Sequence, residues 1–360
     1  MLRILASGLA VLLGLSVVCD IALAQTGTQP RARGAESRAK ANEWTVGLAA
    51  GLPEDTFLPF AAEIARNLNE SGTLRVLPLA TPGAANNVKD LLFLNGIDVA
   101  LTQTDVLFHL RTVEKIPQIE KRVQYIAALY MSEIHLVVRP EIKSVDDLKG
   151  RKVGFNVPGA GPSVSAPIIF QRLGVAVEPV FVSNVQALAM MKSGEIAGFM
   201  HSVAKPNNLI AGFANDAGYK LLPIPYDKLD EFYFPAELTS ADYPNFIKPG
   251  QRVETVAVQT VLAVLDRPQS PDRSRRVRRF VELFFDQFDK FKGLGYQPAW
   301  KDVNLAAQVP GWTRHELATE KLAELTKKPR GSETRVGVMA PAEQERLFNR
   351  FMDWFKQQPR

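Results

Sequence analysis

Strand and helix periods alternate along most of this chain, and that alternation restricts the possible folds more than any other feature. Trp44-Thr-Val46-Gly-Leu48 has the two-residue period of a strand. Phe57–Leu68 then places apolar residues at 57, 58, 60, 61, 64, 65 and 68, the period of a helix with one buried face. Leu74–Leu79 reads as a strand followed by a Thr81-Pro82-Gly83 turn. A helix through Val88, Leu91, Leu92 and Leu94 stops at Asn95-Gly96, and Ile97–Leu101 is the next strand. The order β-α-β-α-β predicts a mostly parallel sheet with helices on both faces.

The pattern restarts near residue 126. Ile126–Leu129 and Ile134–Val138 read as strands, and Ser144-Val-Asp-Asp147 resembles a capping box that opens a short helix. Lys152–Phe155 is a strand ending in Pro158-Gly-Ala-Gly161, followed by a helix through Ile168, Ile169 and Leu173. Val180–Val182 and Ile196–Met200 are strands around a helix at 185–193. Val256–Leu265 returns as a long apolar strand, and Val277–Phe291 is a helix with a broad apolar face. The expected architecture is α/β, with two lobes joined by hinge strands. Lobe I comprises 43–138 plus 252–295, and lobe II comprises 139–251, with chain crossings near 135–140 and 250–260. Ligands of such sheets lie in the crevice at the carboxyl ends of the strands. Residues 296–360 form an extension expected to pack on lobe I. It carries loops at 298–304 and 310–312 and a helix over Pro341–Phe355 with an apolar stripe.

The first residues follow export chemistry. Arg3 precedes the apolar run Ile4–Val18, whose 15 residues fall short of the roughly 20 that a spanning helix needs. Ala22-Leu23-Ala24 supplies small residues at the −3 and −1 positions, so cleavage of a signal peptide (1–24) is expected after Ala24. Residues 25–42, rich in Gln, Thr, Gly, Pro, Arg, Ala and Ser, read as a disordered linker. Cys19 is the only cysteine and would leave with the signal, which excludes disulfides and thiolate chemistry from the mature chain. The net charge of +5 survives cleavage, and the cluster Arg273-Ser-Arg275-Arg276-Val-Arg278-Arg279 reads as the wet face of a helix, not a nucleic-acid surface.

Catalytic signatures are missing. His109, His135, His201 and His315 are dispersed without HExxH spacing, the chain around Ser163 lacks the trailing glycine of a GxSxG elbow, and no lysine follows a Gly-rich turn. No cofactor or metal is expected, and a binder is favoured over a catalyst. The turn Val157–Ser163 follows a strand and opens a helix, so its backbone N–H groups suit a carboxylate; Gly159, Ala160, Gly161 and Ser163 are the candidates there. Gln103 and Asp105 stand at another strand end, where Gln103 offers both a donor and an acceptor and Asp105 could be a helix cap.

Several segments, in order, resemble the TAXI family, the TRAP-associated extracytoplasmic solute receptors. Asn95-Gly-Ile-Asp98-Val-Ala-Leu-Thr-Gln103-Thr-Asp105 is similar to the family's G-x-A-D-L-A-L-x-Q-S-D. Leu129-Tyr130-Met-Ser-Glu133-Ile-His135-Leu-Val-Val-Arg139 resembles L-Y-x-E-x-x-H-L-V-V-R. Asp147–Val153 with Pro158-Gly-Ala-Gly161 resembles D-L-K-G-K-R-V with P-G-S-G-T. Pro82-Gly83-Ala-Ala-Asn86-Asn87 resembles G-G-S-x-x-N, and Thr56-Phe57-Leu58-Pro59 resembles T-Y-Y-P. The resemblance covers about 44–295. It implies a type II periplasmic-binding-protein fold and capture of a small carboxylate or amino acid for a TRAP membrane subunit. The ligand residues at its matching positions are Thr56, Phe57, Asn87, Gln103, Asp105, Gly159, Ala160, Gly161 and Ser163, and His201, at a strand end that departs from the family, is a further candidate. Departures are clear: Gly51-Leu-Pro-Glu54-Asp55 replaces a glycine nest with a loop carrying two acids, Pro162 replaces a hydroxyl residue, and Met200-His201-Ser202-Val203 replaces a Gly-rich strand end. Two rival readings are a receptor that presents its ligand to a sensor and a periplasmic enzyme using His201 with Glu54 or Asp55 as acid–base groups.

Overall fold

A computed structural model describes Ser37, Lys40 and residues 42–70, 72–266 and 271–327. The expected signal peptide, most of the linker and the helix expected at 341–355 lie outside the described residues. The chain divides between Thr45 and Val46 into two units, and the fold below is that of the second.

In chain order the elements are β1 (Thr45–Ala49), α1 (Phe57–Asn69), β2 (Arg75–Leu79), α2 (Ala84–Phe93), β3 (Val99–Gln103), α3 (Thr104–Thr112), α4 (Ile119–Arg122) and β4 (Val123–Val138). Then come β5 (Lys152–Gly154), α5 (Pro162–Leu173), β6 (Glu178–Val180), α6 (Asn184–Ser193), β7 (Gly198–Val203), α7 (Asn208–Ala211), β8 (Lys220–Leu221) and β9 (Phe234–Thr239). The chain finishes with β10 (Arg252–Leu265), α8 (Pro271–Asp286) and α9 (Glu316–Lys327). All strands join one sheet in the order β2-β1-β3-β10-β4-β7-β5-β6, with β8 on β4 and β9 on β10. Each flank is parallel, as the alternation requires, with β1 beside β3 on one side and β7, β5 and β6 on the other. The centre is antiparallel: β10 pairs with both β3 and β4, and β4 pairs with β7. This is the type II periplasmic-binding fold, in which one strand returns from the second half to lie beside β3.

Three expectations are corrected. The segments 126–129 and 134–138 belong to the single 16-residue strand β4. The polar residues Ser132 and Glu133 interrupt its apolar period, but the Ser132 hydroxyl bonds to Thr260 across the ladder at 3.1 Å, so the strand continues through them. The expected helix at 277–291 ends at Asp286 and continues as a 3-10 helix over Phe288–Lys292. The arginine cluster is likewise only partly wet. Arg276 grips Asp98 with two bonds of 2.9 Å, and Arg273 lies 3.1 Å from the same carboxylate. Asp98 is 1% exposed, so the i, i+3 pair of arginines fastens α8 to the residue that precedes β3.

The helices bury the faces that the sequence marked. In α1, Phe57, Phe60, Ala61, Ile64, Ala65 and Leu68 are all buried. Trp300, in a 3-10 helix over Pro298–Asp302, stacks on Phe60 and Phe291 at 4.3 Å and donates its indole N–H to Glu63 at 2.6 Å. The segment after α8 therefore closes over α1.

Candidate functional site

The carboxyl ends of the parallel strands from both flanks meet at one place. From the first flank come the loop after β1 (Asp55, Thr56 and Phe57), the turn after β2 (Gly83 and Ala84) and Gln103 at the end of β3. From the second come Gly161 and Pro162 after β5 and Ser202 in β7. Tyr130 of β4 completes the wall. The loops touch so closely that the enclosed cavity measures about 10 Å³, room for about one water.

Hydrogen bonds join the two flanks around this cavity. Gln103 donates through Nε2 to Ser202 Oγ at 2.6 Å, and the Ala204 N–H donates to Thr56 Oγ1 at 3.2 Å. Thr56 thus turns its hydroxyl across the cleft and leaves α1 without a side-chain cap. The N–H groups of Ala85 and Asn86, at the start of α2, both donate to the Gly159 carbonyl, at 2.9 and 3.1 Å. Asn207 Nδ2 donates to the Glu54 carbonyl at 3.1 Å. Any Cβ at position 161 would press into the Gln103 side-chain amide and displace it. A second cavity of about 470 Å³ lies beyond the same loop, bounded by Pro53–Thr56, Ala204–Leu209 and Gln297–Ala299. Asp55 and Thr56 line both cavities.

The electrostatics are those of an acidic, sparsely solvated wall. Burial, reinforced by Glu54, pushes the Asp55 carboxyl up to about 7 against the opposing Leu52 N–H bond. No Lys or Arg lines the smaller cavity. Two buried polar atoms in its wall have no hydrogen bond among the described residues: Gln103 Oε1 and the Tyr130 hydroxyl, although the hydroxyls of Thr56, Ser132 and Thr260 stand near the latter. Unpaired buried groups of this kind are costly and call for a partner.

Of the residues singled out from sequence, Thr56, Phe57, Gln103 and Gly161 come together in this wall. Gly159 and Ala160 stand beside it: Gly159 bonds α2, and the Ala160 Cα is 3.1 Å from where a Cβ on Gly83 would lie. Ser163 serves its own turn, accepting from the Gly159 N–H and donating to the Ala160 carbonyl. Asn87 is buried and spans between strands, donating to the Ala50 and Leu101 carbonyls. Asp105 lies in the first turn of α3, where it accepts from Ser165 at 2.6 Å and Tyr233 at 3.0 Å. Burial raises its carboxyl to about 6 despite those bonds. His201 lies on β7 but does not line the cavity. It is fully buried, 3.9 Å from Asp55, and burial first and His135 second push it down to about 3. Sequence reasoning did not select Tyr130, Ser202, Gly83 or Ala84. Tyr130 falls just beyond the expected strand 126–129, in a segment that resembles the family, and nothing local in the sequence marks its hydroxyl.

The sequence profile of the NMT1-like family matches residues 48–316, about three-quarters of the chain. The chain belongs to the NMT1-like family. This family corresponds to the TAXI, or TRAP-associated, solute-binding proteins, so the chain is a solute-binding protein of transporters and not an enzyme. Among the described residues no helix is long and apolar enough to cross a membrane. Solved structures overlap at low similarity. The alkanesulfonate-binding protein of Xanthomonas axonopodis pv. citri, bound to MOPS, is 11% identical over 88% of this chain and 95% of its own, with a TM-score of 0.43. An amino acid transporter substrate-binding protein of Streptococcus pneumoniae bound to L-arginine is 14% identical over 73% and 98%, with a TM-score of 0.41. A TRAP periplasmic solute-binding protein of Fusobacterium nucleatum with sn-glycerol-3-phosphate is 12% identical over 86% and 97%, with a TM-score of 0.39. The family match and the strand order, not these distant overlaps, carry the assignment.

Proposed function

We propose that this NMT1-like protein is exported by a signal peptide cleaved after Ala24, captures a small monocarboxylate or amino-acid-like solute between its two lobes, and delivers it to a TRAP-type membrane subunit. The observation that carries the ligand class is the cavity wall: it contains one acid, Asp55, and no basic side chain, beside the hydroxyls of Thr56, Tyr130 and Ser202. Two poorly solvated carboxylates about 4 Å apart repel by about 4 kcal/mol at an effective dielectric of 20. Above pH about 7, where the Asp55 carboxyl is ionised, a dicarboxylate would be repelled at its second end, whereas an amine or neutral polar end would be accepted. Between the strand-end loops there is room for about one water, and the larger space at this edge lies beyond Asp55 and Thr56, so capture requires the strand-end loops to part and close again.

Titration calorimetry and thermal shift of the mature chain with amino acids, monocarboxylates and dicarboxylates test this reading. Ligand at 100 times its Kd stabilises the native state by about 2.7 kcal/mol. Amino acids or monocarboxylates should outrank dicarboxylates, and a Glu54→Gln/Asp55→Asn double variant should move the preference toward dicarboxylates. Tight dicarboxylate binding that is the same in both proteins would reject the ligand class.

A further inference from the structure

We propose that this protein captures a monocarboxylate together with a proton held at Asp55, and that an amino-acid-like solute needs no proton because its own ammonium takes that place, so that pH selects between the two solute classes. The proposal rests on the cleft reading above and deepens it. Closure is what buries this carboxyl. Asp55 belongs to the first flank, and the residues on either side of it are tied to the second. The Glu54 carbonyl accepts from Asn207 Nδ2 at 3.1 Å, and Thr56 Oγ1 accepts from the Ala204 N–H at 3.2 Å. Parting the loops breaks both bonds and wets Asp55, whose side chain is 15% exposed in the closed form. The bond from the Leu52 N–H, at 3.3 Å, lies within its own loop and does not depend on closure.

Among the described residues nothing positive meets Asp55 once the loops are together. Its own loop adds the acid Glu54, β4 brings the Tyr130 hydroxyl, and β7 brings His201 at 3.9 Å, paired across the ladder with His135. Burial first and His135 second hold His201 neutral. Lys205 is the one base lining the larger cavity, and it is already engaged, 3.6 Å from Asp242 and bonded to the Glu237 carbonyl. Glu133 and Asp242 are both held by Lys205, through its N–H and its ammonium, so the parting of the loops does not separate them. A buried carboxylate without a cation is costly, and on closing Asp55 must therefore be protonated or paired. It lines both cavities, so an ammonium can reach it from either side.

In the parted form Asp55 is wet and keeps its ordinary value near 3.8; in the closed form burial and Glu54 lift it to about 7. Capture of a monocarboxylate should then take up about one proton at pH 6 and about a tenth of one at pH 8, with affinity about tenfold tighter at pH 6. Pairing with an ammonium favours the ionised form, so affinity for a zwitterion should stay within about threefold over that range. Wetting of His201 in the parted form would release a proton on closure, the opposite sign, and His201→Gln removes that contribution.

The test is calorimetry of the mature protein with pyruvate and its amino counterpart L-alanine, at pH 6 and 8, each in two buffers of different ionisation enthalpy, which counts the protons exchanged. Pyruvate should show the uptake and the tenfold pH dependence, and L-alanine neither. Asp55→Asn, which mimics the protonated acid, should abolish the uptake, hold pyruvate at its pH 6 affinity at both pH values and weaken L-alanine more than tenfold. His201→Gln should keep the uptake. Pyruvate binding without uptake in both the parent and His201→Gln, uptake that persists in Asp55→Asn, or binding of only one of the two solutes at both pH values would overturn the proposal while leaving the cleft reading in place. Failure of both solutes to bind the unmodified protein would overturn both.

Discussion

Asp98 and Asp55 stand at opposite ends of the same pair of parallel strands and are treated in opposite ways. Asp98, just before β3 at the amino edge, is held by Arg276 through two 2.9 Å bonds, with Arg273 at 3.1 Å. Asp55, in the loop after β1 at the carboxyl edge, accepts one backbone N–H from Leu52 and faces a fully buried neutral histidine. The first carboxylate is compensated by cations, and the second is left so costly to ionise that its carboxyl rises to about 7. The amino edge of the sheet is built for stability. The carboxyl edge carries uncompensated polar groups, where the ligand crevice of such sheets lies.

Breaking the compensated end should cost most. Asp98→Ala leaves Arg273 and Arg276 without their buried partner and should lose roughly 3–5 kcal/mol in urea denaturation; a loss under about 1 kcal/mol would erase the contrast between the two edges. Asp55→Asn should do the reverse. A folded carboxyl at about 7 binds its proton more tightly than the unfolded one near 3.8, so its stability contribution falls as pH rises from about 4 to 7. Removing the charge should therefore stabilise the protein by roughly 4 kcal/mol at pH 8 and by almost nothing near pH 4. The same denaturation series at both pH values checks it, and the difference between variant and parent cancels the raised Glu133 and the lowered His135 and His201. Gly161→Val, which displaces the Gln103 amide from the cavity wall, should weaken ligand binding more than tenfold, about 1.4 kcal/mol, by calorimetry. Arg275→Ala gives the smallest effect. Its pair with Asp272 is exposed, so stability should change by less than about 0.5 kcal/mol, in contrast to its neighbour Arg276.

The sequence disclosed what local pattern controls. The buried stripe of α1, the Thr81-Pro82-Gly83 turn and the strand–turn–helix at Pro158–Gly161 were all legible, because each is set by residues within a few positions. Pairing across the fold was not. Whether Asp105 faces a ligand or a neighbour is decided by Ser165 and Tyr233, far along the chain. The acceptor for Arg276 lies 178 positions earlier, so a charged helix face and a buried clamp look identical in sequence. Tyr130 shows the same limit at the site: it lies just past the strand expected at 126–129, and only the surroundings of its hydroxyl in the folded protein single it out.

The long central ribbon has a consequence for how the protein comes apart. Strands β4 and β10, of 16 and 14 residues, pair with one another along most of their lengths, and each also pairs with one of the flanks. At about 3.3 Å per residue each runs some tens of ångströms through both halves without a break, and the register shifts at Gln259–Val261 and Leu262–Ala263 bend the ladder without ending it. Neither half can melt without stripping partners from a strand that the other half still holds. Heating should therefore give a single cooperative transition with equal calorimetric and van't Hoff enthalpies, where two lobes joined by loose linkers would separate into two.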